Sequence, residues 1–225
     1  MFKAGIDQDA MIQLFSQASA ARAEELRKAV ADATLKALQG RELTLANIRK
    51  VLETVTQAAS AGAAQSKLPG ADVGGMLGAA FAGMDAALLQ AVQAHRTALQ
   101  QFVDQGVALQ ERHMKDALAN IEKMEDVFFA TVGKAAQQTT GAMRPAWEHV
   151  LEAMRLKGTG TGTQAASSIE ELMARAQTAL RESRAASLRG TQALMESYAA
   201  LVSGVLIGMS EGLQSAASES KPRGS

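Results

Sequence analysis

The chain predicts an all-α protein: an elongated helical bundle with two long helices and a shorter N-terminal helical hairpin. Alanine fills 46 of 225 positions, and proline occurs only at 69, 145 and 222. That balance favours helix almost throughout, because alanine is the best helix former and breakers are scarce. Apolar residues also recur at steps of three and four over long stretches, as on one face of a helix. The third observation is a pair of ridges of small residues.

One ridge runs Gly74, Gly78, Ala82, Ala86, with a second row at Gly75, Ala79, Gly83, Ala87; the other runs Ala200, Gly204, Gly208, Gly212. Residues four apart lie nearly above one another on a helix, so each row is a stripe where another backbone can approach closely. Glycine in a helix interior costs about 1 kcal/mol relative to alanine. Seven such glycines therefore predict helix–helix contact along both ridges.

Residues 6–39 read as helix, with a break near Ser16–Ser19 and a stop at Gly40. A second helix follows from Thr44, a good N-cap, to Ser66, and Leu68-Pro69-Gly70 ends it. The third begins after Asp72 and keeps an apolar line from Leu77 to Val132 without a proline. Unbroken to Ala135, it would extend roughly 95 Å at 1.5 Å per residue, with a kink expected near Asp104-Gln105-Gly106. Pro145 suits the first turn of a short helix through Leu156. The run Lys157-Gly158-Thr159-Gly160-Thr161-Gly162-Thr163 reads as a flexible connector. A last long helix is expected from Thr163–Ser168, where Ser167 and Glu170 fit a capping box, to about Ser215.

The domain expectation is one structural unit: a hairpin over 1–68, a long-helix bundle over 71–217 with short helix 145–156 and linker 157–163, and a disordered tail over 218–225. The helices over 72–135 and 165–215 are the main pair, with an antiparallel arrangement open to them. Alanine buries little apolar area, so shallow contacts between long helices are expected rather than a thick core.

Charge is balanced, 23 basic against 23 acidic residues, and mild in every third of the chain. No basic face is extensive enough for phosphate neutralisation, so no nucleic-acid partner is expected. Absence of cysteine excludes disulfides and thiolate metal sites. The start Met1-Phe2-Lys3-Ala4-Gly5-Ile6-Asp7 lacks an apolar leader, which predicts a cytoplasmic, bacterial protein.

Catalytic patterns are missing. The residues three before His95, His113 and His149 are Val92, Gln110 and Ala146, so the Glu-x-x-His pairs of carboxylate-bridged metal bundles are absent. His95 and His113 lie on the apolar line and read as packing histidines, with a pH-sensitive contact as the alternative. The Gly-Thr run lacks the lysine after its glycines, and the preceding strand, that a phosphate loop requires. Carboxylates such as Glu122, Glu125 and Asp126 alternate with Lys115, Lys123 and Lys134 as ordinary solvated charge. No small-molecule substrate, cofactor, metal or enzymatic activity is expected. Trp147, beside Pro145, reads as an anchor for its short helix.

Residues 198–209 form the one strongly apolar run. It is shorter than the roughly 20 residues that cross a bilayer, and Glu196 and Glu211 bracket it. Core packing is the expectation, with surface insertion or oligomer contact as alternatives. In that reading Val205 and Leu206 are not both exposed, and the Gly204/Gly208/Gly212 face packs on the ridge beginning at Gly74.

The alanine-rich, cysteine-free texture, with Ala91-Val92-Gln93-Ala94 and Ala135-Ala136-Gln137-Gln138, resembles that of bacterial phasins and phasin-like proteins. It also looks like that of bacterial long-helix proteins ending in an apolar Gly-x-x-x-Gly segment. The phasin resemblance implies amphipathic helices that coat polyester storage granules, and coiled-coil oligomers. It transfers no functional residue.

Three functions follow as expectations: a non-enzymatic protein coating or scaffolding a hydrophobic granule or lipid surface; a soluble homo-oligomerisation or partner-binding module; and a membrane-inserting helical protein. Eleven methionines, among them Met76, Met84, Met114 and Met124, suit an adaptable apolar surface.

Overall fold

The computed structural model describes residues 7–17, 23–39, 43–66, 72–104, 111–139, 141, 143–182 and 201–209, with backbone alone at 17, 102–104, 111–115 and 175–182. It is all-helical over these residues: α1 (Gln8–Gln17), α2 (Ala23–Gln39), α3 (Leu45–Gln65), α4 (Val73–Asp104), α5 (Glu111–Gln137), α6 (Met143–Lys157) and α7 (Gly160–Glu182). Residues 201–209 are helical as well. Side chains from every helix and from 201–209 join one hydrophobic core.

Local chemistry sets the helix starts. Thr44 accepts from the Asn47 N–H at 3.2 Å, and Asp72 accepts from the Gly75 N–H at 2.9 Å. Each side chain thereby satisfies one of the orphan donors of a first helical turn. α1 ends at Gln17 and α2 begins at Ala23; the expected break near Ser16–Ser19 falls partly outside the described residues.

The single helix expected over 72–135 is instead two helices, α4 and α5, that fold back on each other. The Phe81 and Phe128 rings stack with centroids 4.4 Å apart, and Phe129 lies 5.5 Å from Phe81. In one straight helix those residues would be roughly 70 Å apart. An amphipathic stripe states which face must be covered and leaves open what covers it. Doubling back brings α5 against α3, α7 and α6, with α4 meeting it at the phenylalanines.

The N-terminal region also departs from a simple hairpin. α2 packs chiefly along α4, and α1 lies along α3. Each meeting passes over a glycine. A Cβ on Gly62 would collide with the Phe15 Cβ and stand 2.7 Å from the Ile12 carbonyl oxygen. A Cβ on Gly83 would stand 2.6 Å from the Arg27 carbonyl oxygen and 2.8 Å from the Val30 Cβ. At these two crossings the backbones approach because no side chain stands between them.

Trp147 secures α6. It is wholly buried, and its Nε1–H donates to the Ser60 Oγ on α3 at 2.8 Å. The indole thus supplies apolar area while its polar edge is satisfied.

Candidate functional site

The Gly-Thr run is not a flexible connector. Only Gly158 and Thr159 lie outside helix, and α7 starts at Gly160, ahead of the expected Thr163–Ser168. Gly158 takes the left-handed conformation (φ 78°) after the last turn of α6, and its N–H donates to the Met154 carbonyl at 2.9 Å. Thr159 then caps α7 by accepting from the Gly162 N–H at 3.0 Å.

Two neighbouring helices complete that cap. Asp85 on α4 accepts from the Gly160 N–H at 2.8 Å and the Thr161 N–H at 3.0 Å. The Thr161 hydroxyl donates to the Asp85 carbonyl at 3.1 Å. Glu125 on α5 accepts from the Thr159 hydroxyl. The first N–H groups of a helix are unpaired and its dipole is positive there, so carboxylates are well placed. The glycines make room: a Cβ on Gly160 would stand 3.2 Å from the Asp85 Oδ2, and one on Gly162 would collide with the Glu125 carboxylate.

Further along the same interface Arg96 on α4 donates to Glu171 on α7 at 2.5 Å. Asp85 to Gly160 and Arg96 to Glu171 both span 75 residues. α4 and α7 therefore run parallel in one register. Asp85 and Arg96 are the only Asp, Glu, Lys or Arg between Val73 and Gln101. They are eleven residues apart, three helical turns, and so lie on one face.

The small-residue ridges divide. Gly83, Ala79 and Ala87 are buried, with Gly83 at the α2 crossing. Gly74, Gly78 and Ala82 are half-exposed, and a Cβ on Gly78 would meet nothing within 4 Å. Gly204 and Gly208 are exposed, also with nothing within 4 Å, while Gly212 lies outside the described residues. Docking of the Gly204/Gly208 face onto the Gly74 ridge is therefore not what the structure shows. Val202 and Leu206 are buried in the core, and Val205 is half-buried. Large apolar side chains pull that opposite face inward, because burial gain scales with apolar area and glycine offers little.

His95 is buried on α4, and burial pushes its pKa down to about 4 against the opposing effect of its hydrogen bond to the Leu43 backbone. His149 is exposed. Because the folded pKa lies below the unfolded value near 6.5, the unfolded chain takes up the proton first as pH falls. Stability is thus fully present above pH 6.5 and is lost toward pH 4. Urea unfolding should show wild type losing about 2–3 kcal/mol more than His95→Gln between pH 7 and pH 4.5. Equal losses in both proteins would remove His95 as the cause.

Between α5 and α6 lies an open groove of about 550 Å³, lined by Arg144, Glu148, Glu152, Arg155, Leu151 and Leu156 among others. Its charges are mixed: Arg144 pairs with Glu148 at 3.2 Å, and Arg155 stacks over Phe129 at 5.5 Å. Among the described residues no group of three or more His, Cys, Asp or Glu could hold a metal ion.

The sequence reading did not single out Asp85, Arg96, Glu171 or the capping role of Glu125. The available signal was a pair of charges three turns apart in the otherwise uncharged stretch Val73–Gln101.

This architecture defines a helical bundle whose most apolar helix, α4, lies inside, tied through Asp85 and Arg96 to a parallel neighbour. The chain belongs to a family of unknown function (DUF6781), whose profile matches residues 1–215. No curated protein and no solved structure matches it.

Proposed function

We propose that this chain is a non-enzymatic amphipathic-helix protein that coats or scaffolds a hydrophobic surface, a polyester storage granule or a lipid layer, in the cytoplasm. The observation carrying this reading is α4. Val73–Gln101 is long and apolar enough by composition to cross a bilayer; 61% of its most apolar window is buried in the bundle, and the window's other residues are half-buried. A core helix of a soluble protein passes the same length and composition test, so the reading here is a core helix that can also face an apolar surface. Among the residues that α4 itself buries, Ala79, Ala80, Gly83, Ala87, Ala91, Ala94 and Ala98 are small, and such positions give up little burial when helices separate. Opened along its helices, the chain would present the elongated amphipathic array expected from its sequence. No catalytic group, cofactor or metal enters this reading.

Purified protein mixed with polyhydroxybutyrate granules, and separately with phosphatidylcholine/phosphatidylglycerol vesicles, should sediment or float with at least one of them. Protein left wholly in solution by both would reject the reading.

A soluble homo-oligomer is the second reading. It is favoured by the open space above Gly78, Gly204 and Gly208 and by Ile207, 39% exposed beside that face. Light scattering behind size exclusion separates the two, since a strict monomer eliminates the oligomer.

A further inference from the structure

We propose that the groove between α5 and α6 receives a second copy of this chain, the two α6 helices crossing antiparallel about a two-fold axis at the level of Ala153 and Met154. The choice of partner rests on the homo-oligomer reading, to which it adds a face built from residues other than Gly78, Gly204 and Gly208.

The order of side chains along α6 is self-complementary. Leu151-Glu152-Ala153-Met154-Arg155-Leu156 runs apolar, acidic, two further apolar residues, basic, apolar. Read backwards it is the same pattern with the charges exchanged. Across a two-fold axis a residue meets its partner's residues in reverse order. Glu152 then faces the partner's Arg155, Arg155 faces the partner's Glu152, and Leu156 lies over the partner's Leu151. All four side chains line the groove. Glu152 and Arg155, three apart, project from the same side of the helix.

Electrostatics favours this occupant over a small ion. The groove is lined by two arginines and two glutamates, so it carries no net charge and selects neither an anion nor a cation. Arg144 and Glu148 already pair with each other at 3.2 Å. Glu152 and Arg155 make no ion pair or hydrogen bond among the described residues. Arg155 instead lies over the Phe129 ring at 5.5 Å, where the guanidinium keeps its edge N–H groups for a carboxylate. A surface bearing one acid and one base in reversed order is what this pair lacks, and complementarity of that kind fixes register.

The apolar parts match as well. Leu156, at the lip, is 86% exposed, while Leu151 is buried in the floor beside Gly133 and Ala136. A Cβ on Gly133 would have only the Leu151 Cδ1, at 3.8 Å, within 4 Å of it, so the floor has room for an incoming side chain. Each copy thus offers a protruding leucine and a recess, and one two-fold contact uses both twice. Removing that leucine from water supplies the attraction. The matched stretch is short compared with a standard stable interface, so the dimer is weak and reversible.

Sedimentation equilibrium of the full chain, from micromolar to submillimolar concentration, tests the contact. Glu152, Arg155 and Leu156 are exposed, so their variants should fold, as far-UV circular dichroism will verify. Glu152→Arg and Arg155→Glu should each self-associate about tenfold or more weakly than wild type, because like charges then face each other across the axis. Mixed in equal amounts, those two variants should associate with each other about as tightly as wild type does with itself, since every facing pair is again of opposite charge. Leu156→Ser should weaken self-association about tenfold as well. A mixture that associates no better than either variant alone overturns the inference. Self-association that all three substitutions leave unchanged also overturns it, and leaves the homo-oligomer reading standing through another face. A wild type that is monomeric throughout overturns both, while binding to granules or vesicles is read separately.

Discussion

Replacing Gly83 or Gly62 by leucine is expected to lower stability by about 3 kcal/mol or more each, the upper range of overpacking. A helical protein of this size would then melt roughly 6–12 °C lower. At Gly83 the new Cβ would press on the Arg27 carbonyl and the Val30 Cβ; at Gly62 it would press on the Ile12 carbonyl and the Phe15 Cβ. Atoms in or next to backbone cannot turn aside as a flexible side-chain end can, so whole helices must separate. Alanine at either site should also destabilise, although alanine in a helix otherwise gains about 1 kcal/mol over glycine. Gly78→Ala, Gly204→Ala and Gly208→Ala supply the contrast, because each has open space where the methyl would go. They should raise stability by up to about 1 kcal/mol. Calorimetry of all five alanine variants decides the matter. Losses at 78, 204 and 208 as large as those at 62 and 83 would mean that the open ridges are covered in solution, as the oligomer reading requires.

Trp147→Ala should cost about 3–5 kcal/mol, since the wholly buried indole leaves a large cavity between α6 and α3. Trp147→Phe separates shape from hydrogen bonding. Most of the area is kept, but the donor to the Ser60 Oγ is lost. Ser60 Oγ still donates to the Thr56 carbonyl at 2.7 Å, so the added penalty should be about 1 kcal/mol. Denaturant unfolding measures both. A Trp147→Ala protein as stable as wild type would show that α6 is not anchored by this residue.

Surface binding and the His95 titration bear on one helix, because α4 carries both the apolar span and the buried histidine.

What the sequence determined by itself was local. Alanine abundance and three- and four-residue spacing imply helix without reference to any partner, because propensity and amphipathic pattern act along one segment. Thr44 and Asp72 are legible as caps for the same reason: a capping side chain reaches only the first turn of its own helix. Trp147 as an anchor followed from its size and rarity. What only the tertiary structure decided was which surfaces meet. The stripe from Leu77 to Val132 looks the same whether the helix is straight or doubled back. The stacking of Phe81 on Phe128 resolves it. The Gly-Thr run looks like a linker until carboxylates from two other helices, Asp85 and Glu125, supply acceptors for its N–H and hydroxyl donors. The glycine ridges invited close contact along their whole length. Among the described ridge glycines only Gly83, with α2 crossing above it, has another helix that close, because neighbouring large side chains compete for burial and the face with more apolar area turns inward.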